Sequence, residues 1–525
     1  MDMDGEGNNS PSTYFPRVTW LRLASCNLMG FPSSLAHLNE MSYLDLSCNR
    51  ISGAIPKWIW VTWTSSLTYL NLSHNMLSSV QLTSFVLPFS QLQALDLSSN
   101  QLQGQIPMPS PPADILDYSN NCFSSVLPNF TLYVGHEFRI SKNKISGHIP
   151  NSVCDSRISV LDLSFNNFSG WIPSCLIEDG YMSALILRDN QFEGVLPNNI
   201  KDQCVLHTLD LNNNKIEGQL PKTLNKCLQL EFLDFGNNHM VGTFPSWLGI
   251  LQSLRVLVMR SNRFYGPMGG DLHSVDKSGE YFSSLQILDL ASNNFSGNLS
   301  PKWFEGLKSM MADSNTTGDI VQAFNGTHYQ DTVAITYKSI YRSFDKILTT
   351  LTVIDLSNNS FEGTIPESLG RLVSLLALNM SGNAFTGDIP REFGRMSQLE
   401  ALDLSQNQLS GDIPEALTDL TFLGFLNLSN NQLVGRIPRS GQFFGTFQSS
   451  SFEGNLGLCG PPSSKPCDIA PAPPSAAHGE KSSHVDVILF LFVGLGFGIG
   501  FAAAILIRWG RIGEWFVKSA RVLRT

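Results

Sequence analysis

Residues with a side chain able to move protons recur at one slot, among them Asp45, Asp96, Asp162, Asp210, Asp289, Asp355 and Asp403. Carboxylates in a row suit general acid–base or metal chemistry. Here each stands between two leucines of the same short pattern, so the pattern itself accounts for them. His136-Glu137 begins a zinc-protease signature, but position 140 is Ile where a second His is required. No Gly-x-Ser-x-Gly elbow or phosphate loop is present, and the ten histidines have no ligand spacing. Neither an enzyme nor a metal nor a cofactor is expected. The 525 residues carry 34 Lys plus Arg against 44 Asp plus Glu, a net charge of −10 without the basic stripe of a nucleic-acid binder.

The elements that position these side chains follow from a repeat. Leu399–Pro414 reads LEALDLSQNQLSGDIP, and its frame returns at Leu375–Pro390, Leu423–Pro438 and Leu206–Pro221. The marker Asn recurs at 49, 75, 100, 121, 143, 166, 190, 214, 238, 262, 293, 359, 383, 407 and 431, with Cys26 in the slot of a first, worn copy. Leu-x-Leu alternation makes a short strand with its leucines inward. Coils stacked at about 4.8 Å join those strands into one parallel sheet over a shared core. The Asn amide, buried at the bend, is expected to satisfy backbone groups leaving the sheet.

Asn293 to Asn359 is an interval of 66 residues, one period plus an insert taken as 303–350. Its YQDTVAITYK segment alternates like a strand, and long inserts in such arrays carry function. Outward strand positions beside it are expected to meet a ligand. These are Val256, Val258 and Arg260 in one coil, where Val258 and Arg260 break the usual Asp and Ser, and Ile287, Asp289 and Ala291 in the next. With Tyr329, Tyr337 and Lys338 they offer an aromatic and cationic surface for a peptide or protein.

After Pro438 the frame dissolves into a cap in which Phe443, Phe444, Phe447 and Phe452 hide the last apolar layer and Cys459 and Cys467 can pair. A Pro/Ala/Ser linker follows. Val487–Ile507 then has no charge or amide over about 30 Å of helix, the thickness of a bilayer core. Arg508, Arg511, Lys518, Arg521 and Arg524 follow it, which puts the tail in the cytoplasm and the repeats outside. Gly494, Gly496, Gly498 and Gly500 form two small-xxx-small pairs suited to another helix.

Sixteen such repeats, an insert four repeats before the cap, a membrane helix and a short basic tail resemble the plant leucine-rich-repeat receptor-like proteins. These are cell-surface immune or developmental receptors without a kinase domain. The resemblance implies an α/β solenoid, a plant-type leucine-rich-repeat superhelix with parallel β on the concave face, a 3-10 or irregular convex face and one C-terminal transmembrane helix. It implies a single-pass type I protein of the plasma membrane that binds an extracellular peptide or protein. An adaptor receptor kinase would pair through the transmembrane helix, and a co-receptor kinase would join at the last repeats. The parts are a polar leader at 1–17, repeats 1–12 at 18–302, the insert at 303–350, repeats 13–16 at 351–438, a cap at 439–469, a linker at 470–486, the membrane helix at 487–507 and a tail at 508–525. Family inserts often end on Tyr, eight residues, Lys and Gly; Tyr329 and Lys338 match, with Ser339 in the Gly position.

The leader has no basic start or apolar run, so a signal peptide is not expected there and an N-terminally shortened chain is. Asn71, Asn129, Asn167, Asn294, Asn298, Asn315, Asn325, Asn358, Asn379 and Asn427 precede x-Ser/Thr, as exported proteins allow. Cys154 with Cys175, and Cys204 with Cys227, lie one coil apart, where stacked coils reach disulfide range. Cys26 and Cys48 read as core thiols, and Cys122 is left without a partner. The competing functions are a secreted inhibitor of microbial wall-degrading enzymes, which needs no membrane segment, and a non-functional truncated decoy.

Overall fold

A computed structural model describes residues 18–82, 84–268, 281–311, 331–348, 350–439 and 444–467. Two compact units divide the chain, Met1–Cys467 and Asp468–Thr525, and every described residue falls in the first. Tyr329, Asn315, Asn325, the linker, the 487–507 segment with its four glycines and the basic tail lie outside the described residues. Among the described residues no helix is long and apolar enough to cross a membrane.

The Leu-x-Leu segments form a sixteen-stranded parallel sheet that runs from Trp20–Arg22 to Phe425–Asn427. Register is strict: Leu209, Leu233, Leu257 and Leu288 pair in line from coil to coil. These leucines are fully buried. The strand Ile287–Asp289 pairs directly with Val353–Asp355, so the insert leaves and re-enters without breaking the sheet.

The marker asparagines hold the bend. Asn190 Nδ2 faces the carbonyls of Leu163 at 2.9 Å and of Leu187 and Arg188 at 3.2 Å, while Oδ1 accepts the Phe168 N–H at 2.9 Å. Each amide thus ties its own turn to the preceding coil, and a side chain with one donor group and one acceptor is the minimum that does so. Asn455 continues the ladder into the cap, with Nδ2 on Leu428 O and Oδ1 on Leu433 N–H. The frame does not reveal it, because no Leu-x-Leu precedes it.

The residues after the marker Asn from Asn143 to Asn407 make a second parallel sheet of ten strands, from Ser146–Gly147 to Gln408–Ser410, and those after the earlier and last Asn pair only two by two. The sequence assigns these residues only to a turn; stacking at strand spacing brings their backbones into pairing range. Glycine is required where the turn crosses the previous coil. Gly411 has φ +71°, and a Cβ there would meet the Asp388 carboxylate. On the convex side, five-residue 3-10 turns such as Glu367–Arg371, Arg391–Arg395 and Glu415–Asp419 each follow a Pro. Proline fixes φ at their start and lacks only a donor that would have gone unpaired.

Two boundaries move. Trp303, Phe304, Leu307 and Met310, taken from sequence as the start of the insert, are buried in the main core and complete the twelfth coil. Cys26 and Cys48 are exposed rather than in the core: Cys26 fills the Asn slot of the first described coil, at the edge of the sheet, and Cys48 stands one residue before the buried Asn49. Bonded sulfur pairs join Cys154 to Cys175, Cys204 to Cys227 and Cys459 to Cys467, with Cα separations of 5.5, 4.7 and 5.0 Å. In the cap, Phe452 and Leu458 close the core, and Gly457–Cys459 pairs with Val434–Arg436.

Within the insert, Val333–Tyr337 and Ile340–Phe344 form an antiparallel hairpin. Its two-residue loop, Lys338-Ser339, has φ of 51° and 59°. Two consecutive left-handed residues define the tight hairpin turn whose twist matches the strands, and side chains other than Gly or Asn resist it. Ser339→Gly is therefore expected to stabilise the hairpin by about 1 kcal/mol. Amide exchange within 333–344 should slow about fivefold; unchanged or faster exchange would refute the turn assignment.

Candidate functional site

The hairpin lies across the concave face, over the coils beside the insert. Val333 and Ile335 point into an apolar cluster with Phe232, Val256, Val258, Ile287 and Val353 from four successive coils. Ile347, Leu351, Ala377 and Ala401 complete it, with Tyr337 and Phe344 at its edge. Outward strand positions here carry a second, smaller core, and Val160, Ala184 and Ile186 make a further small apolar group on earlier coils.

This placement corrects the sequence-based surface. Val256 and Val258 are 3% and 0% exposed, and Asp289 is 0% exposed. They are the seat of the hairpin, and no ligand reaches them while it is docked. The breaks in frame at Val258 and Arg260 are real, but their cause is packing. Arg260 Nη1 contacts Asp289 Oδ2 at 2.9 Å and Thr336 Oγ1 of the hairpin at 3.1 Å, and its guanidinium lies 4.6 Å from the Tyr341 ring centroid. Arg260 is thus a clamp on the insert.

Both ends of the hairpin are pinned by polar contacts. At one, the Thr208 hydroxyl donates to Asp331 Oδ1 at 2.8 Å, and Arg188 Nη1 reaches Asp210 Oδ2 and the Thr332 carbonyl, both at 3.4 Å. At the other, Lys338 Nζ meets Glu400 Oε2 at 2.8 Å and the Tyr337 hydroxyl donates to the same oxygen. Burial and then the Glu400 carboxylate push the Tyr337 phenol up. Burial opposes ionisation of Glu400, yet hydrogen bonds from Lys338 and Tyr337 hold it below the usual range.

The frame aspartates serve the repeat itself. In most coils one carboxylate oxygen accepts the N–H two residues on, as Asp162 does from Ser164 at 3.0 Å, closing a local turn. Asn71, Asn379 and Asn427 accept the same bond from Ser73, Ser381 and Ser429. Those three sequon residues are half-buried on the concave face, whereas Asn129, Asn167, Asn294, Asn298 and Asn358 are exposed. Under the hairpin the carboxylates lose water, and burial followed by the neighbouring Asp355 charge moves Asp289 up to about 7.

The outer face of the insert is open. Ile340 and Tyr341 are 50% and 51% exposed, and Arg342 beside them faces solvent. Sequence reasoning missed Tyr341, Arg188 and Glu400; the run of apolar outward residues from Phe232 to Val353 was the signal that something covers those coils. A second accessible strip lies on coils one to three, where Trp20, Tyr43 and Tyr69 stack with ring centroids 3.8 and 4.3 Å apart.

A leucine-rich-repeat family model matches residues 40–61, 66–86, 91–110, 157–178, 205–227, 284–307, 350–372 and 374–396, and a second matches 388–433. Receptor-like protein 54 of Arabidopsis thaliana is 38% identical over 386 residues, 72% of this chain and 45% of that protein. The chain therefore spans less than half the length of that relative. The leucine-rich-repeat ectodomain of the Arabidopsis receptor kinase HAESA, solved with an N-terminally extended IDA peptide hormone, superposes with a TM-score of 0.64 at 29% identity over 84% of this chain and 66% of that one. The plant peptide hormone receptor RGFR1, solved with RGF2, gives 0.61 at 26% identity over 82% and 65%. The shared frame, the parallel concave sheet and these relatives place the chain in the leucine-rich-repeat family, among the plant receptor-like proteins.

Proposed function

We propose that this protein is a ligand-reading subunit of a cell-surface receptor acting in defence, and that an extracellular peptide or protein binds the outer face of the docked insert. One observation carries the reading: the hairpin closes over its own apolar seat and leaves Ile340, Tyr341 and Arg342 exposed, with the Lys338–Glu400 pair partly exposed at its tip. An aromatic and a cation on a rigid strand suit a protein ligand, since both side chains bury area with little loss of freedom. The solved relatives with peptide hormones support the ligand class.

In this reading the signal passes to partner kinases. An adaptor receptor kinase pairs with the 487–507 segment through Gly494, Gly496, Gly498 and Gly500, and a co-receptor kinase meets the last four repeats once ligand bridges them. Differential contact with the bridged assembly is what would make binding a signal. The test is a triple exchange, Ile340→Ser, Tyr341→Ser and Arg342→Ser, in plant cells challenged with extracellular microbial protein fractions that activate the parent chain. The exchange should abolish the response while surface biotinylation stays unchanged. A full response from the triple variant would place the ligand elsewhere.

A further inference from the structure

Five carboxylates and two guanidinium groups are packed beneath the hairpin. From the sheet come Asp210, Asp234, Asp289 and Asp355, each 2% exposed or less. Asp331 comes from the insert. Arg188 pairs with Asp210 and Asp189, and Arg260 pairs with Asp289. Asp234 Oδ1 accepts from Asn212 Nδ2 and the Gly236 N–H, but its Oδ2 is buried without a hydrogen-bond partner among the described residues, and so is Asp355 Oδ2. A buried carboxylate oxygen with no donor is the group that gains most from a proton, because protonation removes the unpaired charge that the low-dielectric interior penalises.

We propose that docking of the hairpin is coupled to proton uptake by the carboxylates beneath it, so that mild acid closes the insert onto the sheet and neutral solution loosens it. The proposal concerns regulation of the ligand face described above and rests on that reading only for its biological consequence.

The other charges facing this layer do not cancel the effect. Tyr341 lies over Arg260, and Glu231 and Arg255 act in opposite directions on Asp331. At the tip, Glu400 is satisfied by Lys338 and Tyr337. Burial leads the list of causes at every one of the five acids. It raises Asp331 to about 7 and Asp289 to about 7, and it moves Asp210, Asp234 and Asp355 up. With the hairpin undocked, the same acids face water and return toward the ordinary value near 4. The docked state then binds more protons between about pH 4 and 7, so docking strengthens as pH falls through that window and weakens as it rises. One linked proton changes the docking equilibrium by roughly tenfold or more between pH 5.5 and 7.5.

The measurement is amide hydrogen exchange over 333–344 in the protein without ligand, corrected for the intrinsic pH dependence of exchange. A detached two-stranded hairpin is marginal in water, so undocking exposes its amides. Protection should fall about tenfold or more from pH 5.5 to 7.5, while that of the distant strand Ala94–Asp96 stays level. The double variant Asp234→Asn, Asp355→Asn should flatten part of this dependence, Asp289 and Asp331 carrying the remainder, and keep the hairpin better protected than the parent at pH 7.5. Asparagine already fills the same slot at 71, 379 and 427, so the frame tolerates it. Asp45→Asn, far from the insert, should leave the profile as it was. Level protection in the parent protein, or a double variant with the parent's full slope, overturns the proposal. No ligand takes part, so failure of the ligand assignment leaves this result standing.

Discussion

Asn190→Ala should destabilise the array by about 2–3 kcal/mol, a large effect for a polar substitution. The change removes one small side chain but leaves the Phe168 N–H unpaired and takes a second donor from the carbonyls of Leu163, Leu187 and Arg188, which keep Asn166 Nδ2, Asn214 Nδ2 and the Phe165 N–H. Each buried backbone group left unpaired costs about 1–3 kcal/mol, and water does not reach a bend that packs coil against coil. Because a solenoid is held by neighbour contacts, the damage should centre on the coils carrying Asn166, Asn190 and Asn214. Urea unfolding of the parent and variant, with hydrogen exchange mapped by coil, is the check. Asn190→Asp should be nearly as harmful, since it keeps the acceptor and loses both donors. A loss below about 1 kcal/mol for Asn190→Ala would mean that the ladder is ornamental.

Ile335→Asp is expected to detach the hairpin while the solenoid stays folded. Ile335 is fully buried in a cluster that draws apolar outward positions from six coils. An unpaired carboxylate placed there costs several kcal/mol, more than one small cluster and a few hydrogen bonds supply to docking. The coils beneath retain the leucine core and the Asn ladder, neither of which includes the insert. Protection over 333–344 should be lost and a protease should cut after Lys338 or Arg342, with far-UV dichroism of the parallel sheet unchanged. Ile335→Val, which trims one methyl, should cost only about 0.5–1.5 kcal/mol and keep the hairpin docked. If the Asp variant resists the protease as the parent does, the hairpin is not seated on this cluster.

The repeat made the array legible because each of its determinants is local. Leu206, Leu209, Leu211 and Asn214 carry their meaning within one coil, and fifteen more copies say the same. The disulfide partners were legible for a related reason, since Cys154 and Cys175 sit one coil apart on the same side. The second sheet was not, because residues such as Gln191–Val195 are strands only by virtue of the coils on either side. The exposed positions of Cys26 and Cys48 likewise depend on how the coils stack.

By itself, the amino-acid sequence determined the stacking axis, the number of coils, the apolar core and the polar ladder that seals each bend, since a strict period leaves one way to bury its leucines. Only the tertiary structure decided that Val256, Val258 and Asp289 serve the insert rather than a ligand. Their partners Val333, Ile335 and Thr336 lie tens of residues away in sequence, and an outward valine has no assigned role until the chain that covers it has folded back.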